Sequence, residues 1–256
     1  MRAFLKTAFE KSWLIVLLVL IWWFASAGST NVFYPPLSQI LETLWRDLAS
    51  GLLLEYLGFS LGNLAVGMLF ALVVGIGLGL FIGEITWLRE ALSPFIDFAR
   101  SVPQVAIVPL IIGTFGLGPG PKIYTIAFAC VFPILLNAID GVRGIEPTIR
   151  RFGKVYRIPP VRYFLRVVLP GALPQVFAGI RVALPIGITV MVVSELYAAN
   201  RGVGFYILNS SSTFHLAETW AGAFFVGVIG YLISIIFNRI ERIPLRWYFD
   251  SGATTK

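Results

Sequence analysis

Cysteine and histidine are all but missing from this sequence: Cys130 and His215 are the only ones. A lone cysteine rules out an internal disulfide and leaves the redox compartment unread. A lone histidine with no acidic residue at ligand spacing reads as a loop residue, and no metal centre or clustered catalytic constellation is predicted. Charge is scarce too. Asp, Glu, Lys and Arg make up 13% of the chain, against about 25% in a typical soluble domain. That shortage excludes a soluble domain, whose surface needs those groups. A nucleotide loop is also missing. "GPGPK" at 118–122 puts Pro121 between its last glycine and Lys122, where a phosphate-binding loop needs them adjacent. "GIGLGLFIG" at 75–83 has the wrong glycine spacing for a dinucleotide loop. What fills the chain is apolar: 57% of its 256 residues are hydrophobic, with a mean hydropathy of +0.84.

A membrane crossing needs roughly 20 mostly apolar residues. The stretches at about 13–32, 59–83, 95–115, 123–138, 172–197 and 220–237 qualify, the third interrupted by Pro103 and Pro109. The predicted fold is therefore an all-α membrane domain over 1–256 with six transmembrane helices. Gly75, Gly79 and Gly83 recur on one face of the second span, a small-residue pattern that lets membrane helices approach closely. Between the first two spans, residues 34–51 place Leu37, Ile40, Leu41, Leu44, Trp45 and Leu48 at helical spacing. That segment lies along the outer leaflet or packs on the bundle.

Orientation follows from the basic residues. With the N-terminus in the cytoplasm, the inside segments hold Arg2, Lys6, Lys11, Arg89, Arg143, Arg150, Arg151, Lys154, Arg157, Arg162, Arg166, Arg239, Arg242, Arg246 and Lys256. The outside segments hold only Arg46, Lys122 and Arg201. This is the positive-inside pattern, and it puts both termini in the cytoplasm. It also accounts for the net charge of +7 without nucleic acid. The rival reading of the N-terminus is a cleavable leader, with basic residues, an apolar run and "ASA" at 25–27.

The densest charge lies in "RRFGKVYRIPPVRYFLRVVLPGALPQ" at 150–175, inside an expected cytoplasmic segment of about 143–170. Pro147 suits the first turn of a short helix, and Pro159 and Pro160 break it. "PVRYFLRVVL" then makes a second short helix ending before Pro170 and Pro174. Arginines mixed with Phe152, Tyr156, Tyr163 and Phe164 suit either acidic lipid head groups or a protein partner. Among residues near membrane depth, Asp97 and Arg100 are spaced to pair. Glu195 serves either gating and translocation or a structural role, with a helix terminus, Arg181 or Arg201 as its expected partner.

Taken together, "YPPLSQILETLWRDLASG" at 34–51, "ARSVPQVAIVPLIIGTFGLGPGPKI" at 99–123, "RVVLPGALPQVFAGIRVAL" at 166–184, "VSELYAANRGVGFYI" at 193–207 and "IERIPLRW" at 240–247 resemble the permease subunits of binding-protein-dependent ATP-driven (ABC) importers. The likeness is to the nitrate, taurine, alkanesulfonate and bicarbonate group, which also includes carriers of vitamin precursors. It implies a type I importer permease fold in the bacterial inner membrane, no bond chemistry, and no cofactor in this chain, since ATP and Mg are bound by a partner ATPase. It implies as partners ABC ATPase subunits, a second permease copy or a related permease, a periplasmic or lipid-anchored solute-binding protein and membrane lipid. The family's ATPase-docking motif has an acidic residue, two alanines and a later glycine. Counted back from Pro170, these fall on Arg151, Phe152, Gly153 and Arg157, so the position matches and the residue types do not. The resemblance implies docking through Arg150, Arg151, Phe152, Gly153, Lys154, Tyr156, Arg157 and Pro159. Translocation or gating candidates are Arg100, Pro103, Arg181, Glu195 and Tyr197. An autonomous secondary transporter or channel is the alternative, and it would need more charge pairs deep in the helices.

Overall fold

The computed structural model describes residues 2–253; Lys256, part of the expected basic C-terminus, lies outside them. Helix α1 (Arg2–Ser26) is followed by α2 (Leu37–Ala49), α3 (Leu52–Glu84), α4 (Thr86–Ser101), α5 (Gln104–Phe115) and α6 (Pro119–Arg143). Then come α7 (Pro147–Val155), α8 (Pro160–Tyr163), a π-helical turn (Phe164–Val168), α9 (Leu169–Ala198), α10 (Val203–Ser212), α11 (Leu216–Ile240) and α12 (Arg246–Ala253). Among the described residues, four helices are long and apolar enough to cross a membrane, and a bent pair makes a fifth.

Helix α6 is the centre of the bundle, with α3 on one side and α9 on the other. Its approach to α3 depends on glycine. A Cβ on Gly79 would stand 2.6 Å from the Cβ of Ala138 and 2.7 Å from the Leu135 carbonyl oxygen. Gly75 faces Ile134 and Gly83 faces Val142 in the same way. With no side chain between them the backbones come close, and dispersion contacts replace the hydrophobic drive that lipid does not supply. Ile126, Ile134, Ala138 and Val142 are the α6 residues buried in this seam and the main core.

The structure corrects several sequence boundaries. The first apolar helix stops at Ser26 rather than near 32. There the Ser26 hydroxyl accepts the Leu37 amide of α2, and Asn31 accepts the Phe33 amide in a turn. The 95–115 stretch is interrupted once, between α4 and α5. Helices α4 and α5 meet at 86°. Pro103 forces Val102 into an extended conformation, whereas Pro109 sits inside α5 without breaking it. The second short helix expected at 160–169 is not separate either. It runs through the π turn into α9, and Pro170 and Pro174 lie within that continuous helix. In a regular helix the Pro170 ring would meet the Arg166 carbonyl; the turn just before it widens to the π form instead. Helix α2 packs on the bundle through Leu37, Ile40, Thr43 and Asp47, leaving Leu41 and Trp45 exposed. Helix α10 stands where only a loop had been expected.

Candidate functional site

Two ends of the bundle gather the polar side chains. At one end stands α7. Arg150 turns back from it to the bundle, donating to Glu84 at 3.2 Å and to the Val142 carbonyl oxygen. Those acceptors sit at the C-terminal ends of α3 and α6, where the helix dipole favours a cation. Arg150 is therefore a strut that ties α7 to two helix ends. Gly153 is buried as well, because a Cβ there would stand 2.6 Å from the Tyr163 ring. The remaining expected docking residues, Arg151, Phe152, Lys154, Tyr156, Arg157 and Pro159, are all exposed. Arg151, Lys154 and Arg157 make no ion pair among the described residues.

The end of α7 explains Arg157. Its φ is +46°, its amide bonds to the Lys154 carbonyl, and the Ile158 amide bonds to the Gly153 carbonyl, each at 3.1 Å. This is a Schellman ending, which normally uses glycine at the left-handed position. The docking motif of the resembled family has glycine at this position too. Here the backbone shape is held by an arginine, at a cost of about 1–2 kcal/mol. Beyond it, Arg157, Arg162 and Arg166 line a cleft of about 290 Å³ with Tyr156 and Pro159.

At the opposite end of the bundle, Glu195 is 0% exposed. Its Oε2 accepts the Ser60 hydroxyl at 2.8 Å and the Gly204 amide at 3.0 Å. Ser60 in turn accepts the Val203 amide at 3.0 Å. One carboxylate thus joins α3, α9 and the start of α10. Gly202 has a φ of +115°, and a Cβ on it would fall 2.5 Å from the Glu195 carboxyl group. Of the expected partners, a helix terminus reaches Glu195, through the Gly204 amide in the first turn of α10, and neither arginine does. Arg181 pairs with buried Glu241 after α11, fourteen residues back from Glu195 and thus about 21 Å along the helix at roughly 1.5 Å per residue. Arg201 is exposed and makes no ion pair among the described residues.

The other gate candidates scatter. Arg100 pairs with Asp97 at 3.0 Å on the exposed face of α4, Pro103 forms the α4–α5 corner, and Tyr197 is exposed beside the Glu195 end. Sequence reasoning missed Ser60, a polar residue in an apolar run, and Lys122, expected in an outside segment but buried in the first turn of α6. It also missed the Asp47–Tyr206 bond of 2.6 Å. Burial first, and then the hydrogen bond to Asp47, hold the Tyr206 phenol far above its usual range, so it stays a donor. Arg46 joins Asp47 to Glu218, linking α2 to α11.

The profile of the family described as "Binding-protein-dependent transport system inner membrane component" matches residues 71–246. The chain belongs to this family. Members similar to it include the taurine transport system permease protein TauC of Escherichia coli (28% identical, 91% of this chain, 88% of the relative). A putative aliphatic sulfonates transport permease protein, SsuC of Bacillus subtilis, is 31% identical over 86% of this chain and 79% of the relative. The bicarbonate transport system permease protein CmpB of Synechocystis is 28% identical over 84% and 81%. The fold matches a solved structure of the MetNI methionine ABC transporter in an inward-facing conformation, with a TM-score of 0.66 over 77% of this chain and 98% of the other at 18% identity. A bacterial alginate ABC transporter in complex with a pentasaccharide-bound periplasmic protein gives 0.60 over 94% and 97% at 13% identity. The chain is thus an ABC importer permease component, and its several apolar helices fit a multi-pass membrane protein.

Proposed function

We propose that this chain, as one domain, crosses the bacterial cytoplasmic membrane six times, with both termini in the cytoplasm, and that α7 is the seat of a separate ATPase. The crossings are α1, the α4–α5 pair, α3, α6, α9 and α11. The α9 segment from Pro160 to Tyr197 has 38 residues, about 57 Å at 1.5 Å per residue, against a hydrocarbon core of about 30 Å. Its first turns therefore extend beyond the bilayer beside α7, on the side the basic residues mark as cytoplasmic.

The observation that carries the reading is the bracing of α7. Its exposed face bears Arg151, Phe152, Lys154 and Tyr156, while Arg150 fixes its inner face to the ends of α3 and α6. A force on that face reaches both helices, and the glycine seam passes it on as a rigid-body movement. ATP and Mg bind in the ATPase, and this chain carries neither. It pairs with a second copy or a related permease, receives its solute from a periplasmic or lipid-anchored binding protein, and exposes its apolar faces to lipid. The relatives' names support a small solute of the sulfonate, nitrate or bicarbonate type; a vitamin precursor is the further class that the sequence resemblance implies.

The test reverses two exposed charges together, Arg151→Glu and Arg157→Glu. The expected outcome is loss of the ATPase on purification, or ATP hydrolysis uncoupled from uptake. Normal assembly and uptake in the double variant would remove α7 from the docking role.

A further inference from the structure

A cavity at the Glu195 end has a volume of about 600 Å³ and is lined by Phe59, Gly118, Lys122, Tyr197, Asn200 and Arg201 among others. Lys122 is 2% exposed, and an ammonium removed from water costs several kcal/mol unless a partner replaces the water. Lys122 has no hydrogen bond or ion pair among the described residues. Its contact is the Phe59 ring, 5.1 Å from the nitrogen, and such a contact is worth only about 0.5–2 kcal/mol. Glu195 attracts it from a distance; one Glu195 oxygen is committed to Ser60 and Gly204 and the other is buried with no hydrogen bond, so the two charges form no ion pair, and Glu195 does not line the cavity. Arg201, in the same lining, makes no ion pair among the described residues. No acidic side chain is in the lining. A buried cation with no hydrogen-bonded partner, a second cation and an amide thus share a lining that holds no negative charge.

We propose that this cavity binds the anionic head of a small oxyanion, a sulfonate, carboxylate or inorganic oxyanion, with Lys122 and Arg201 as the charged contacts and Asn200 as a further donor. Tyr197 and Phe59 flank the space left for an organic tail. Binding gives Lys122 the partner that burial demands, so an anion is held more tightly than a neutral molecule of the same shape. The cavity opens at the end away from α7. It rests on the importer reading only for the assignment of the anion as cargo, because the binding itself does not require an ATPase.

The test uses the permease purified with its ATPase in nanodiscs, titrated with methanesulfonate, nitrate and bicarbonate, and with dimethyl sulfone as the uncharged counterpart of methanesulfonate. Sodium chloride holds ionic strength constant, and thermal unfolding is followed by tryptophan fluorescence. A saturable rise in Tm with at least one of the oxyanions and none with dimethyl sulfone is expected. Arg201→Gln should raise the half-saturating concentration about tenfold or more, the range for loss of one charged hydrogen bond. Lys122→Gln should abolish the response; where that variant fails to fold, the exposed Arg201→Gln decides. An equal response to dimethyl sulfone, no saturable response to any of the three anions, or an unchanged midpoint in Arg201→Gln overturns the proposal. Uptake into proteoliposomes separates cargo from a bound regulator, because only for cargo does Arg201→Gln raise the half-maximal uptake concentration in the same proportion. Loss of the ATPase in the wild-type preparation would count against the importer reading alone.

Discussion

The two ends of this bundle treat charge in opposite ways. Around α7, Arg151, Lys154 and Arg157 are exposed and make no ion pair among the described residues, whereas Arg150 is tied to the fold. Around Glu195, the carboxylate is fully buried and joined to Ser60, Gly204 and, through Ser60, Val203. A charge in water costs the fold little and is free to meet a partner, whereas a charge under the surface must be satisfied within the chain. The first end is therefore a place to be touched, and the second is a joint that holds helices together. Lys122 is buried with no hydrogen bond or ion pair among the described residues, and it lines the proposed anion cavity rather than a joint.

That contrast is open to graded tests. The most severe is Gly79→Leu, between the two ends. The side chain would drive into Ala138 and the Leu135 backbone, where no neighbour can yield without moving a helix. Loss of folded protein in fluorescence-detected size exclusion is expected, and a normal profile would mean the α3–α6 seam is looser than drawn. Next comes the Glu195 joint. Ser60→Ala leaves Glu195 and the Val203 amide each short of a partner, at a cost of about 1–3 kcal/mol, read as a lowered Tm in nanodiscs. Glu195→Gln should lower it less, since the amide oxygen still accepts, while weakening stimulation of the ATPase by the loaded binding protein. Equal stimulation in variant and wild type would confine Glu195 to holding the helices. At the α7 end, Arg157→Gly should raise stability by about 0.4–1 kcal/mol or leave it level, because glycine accepts the left-handed conformation freely but adds entropy to the unfolded chain. The paired reversal of Arg151 and Arg157 should move Tm least, within about 0.5 kcal/mol, although it strips the ATPase away. A large Tm loss there would show that the two ends are not different in kind.

Much of the Glu195 joint was hidden in the sequence for a physical reason. Its members come from positions 60, 195, 203 and 204, and nothing local links residue 60 to the others. Arg201 was an attractive partner because it is near along the chain, but the loop carries it away from the carboxylate. Lys122 looked like a turn residue because glycine and proline surround it, and only the start of α6 at Pro119 turns it into the bundle. The α7 end was far more legible. Prolines 147, 159 and 160 punctuate it, and its basic residues are exposed because water solvates them, so no long-range pairing had to be foreseen. The exceptions are Arg150 and Gly153, whose partners Glu84, Val142 and Tyr163 belong to other elements.

Composition and apolar run length determined an all-helical membrane protein: 13% charged residues point to lipid, and apolar runs of about 20 residues are the length at which a helix, rather than a barrel strand, spans it with its backbone satisfied. The glycines of α3 and the basic segment at 150–166 were equally plain, because both are periodic or local features. Tertiary structure alone decided that α6 lies at the centre, that Pro103 turns α4 from α5 while Pro109 and Pro170 are absorbed into helices, and which charges are paired. Those outcomes depend on helices far apart in the chain meeting at close range, and pairing of that kind is written in no single stretch of sequence.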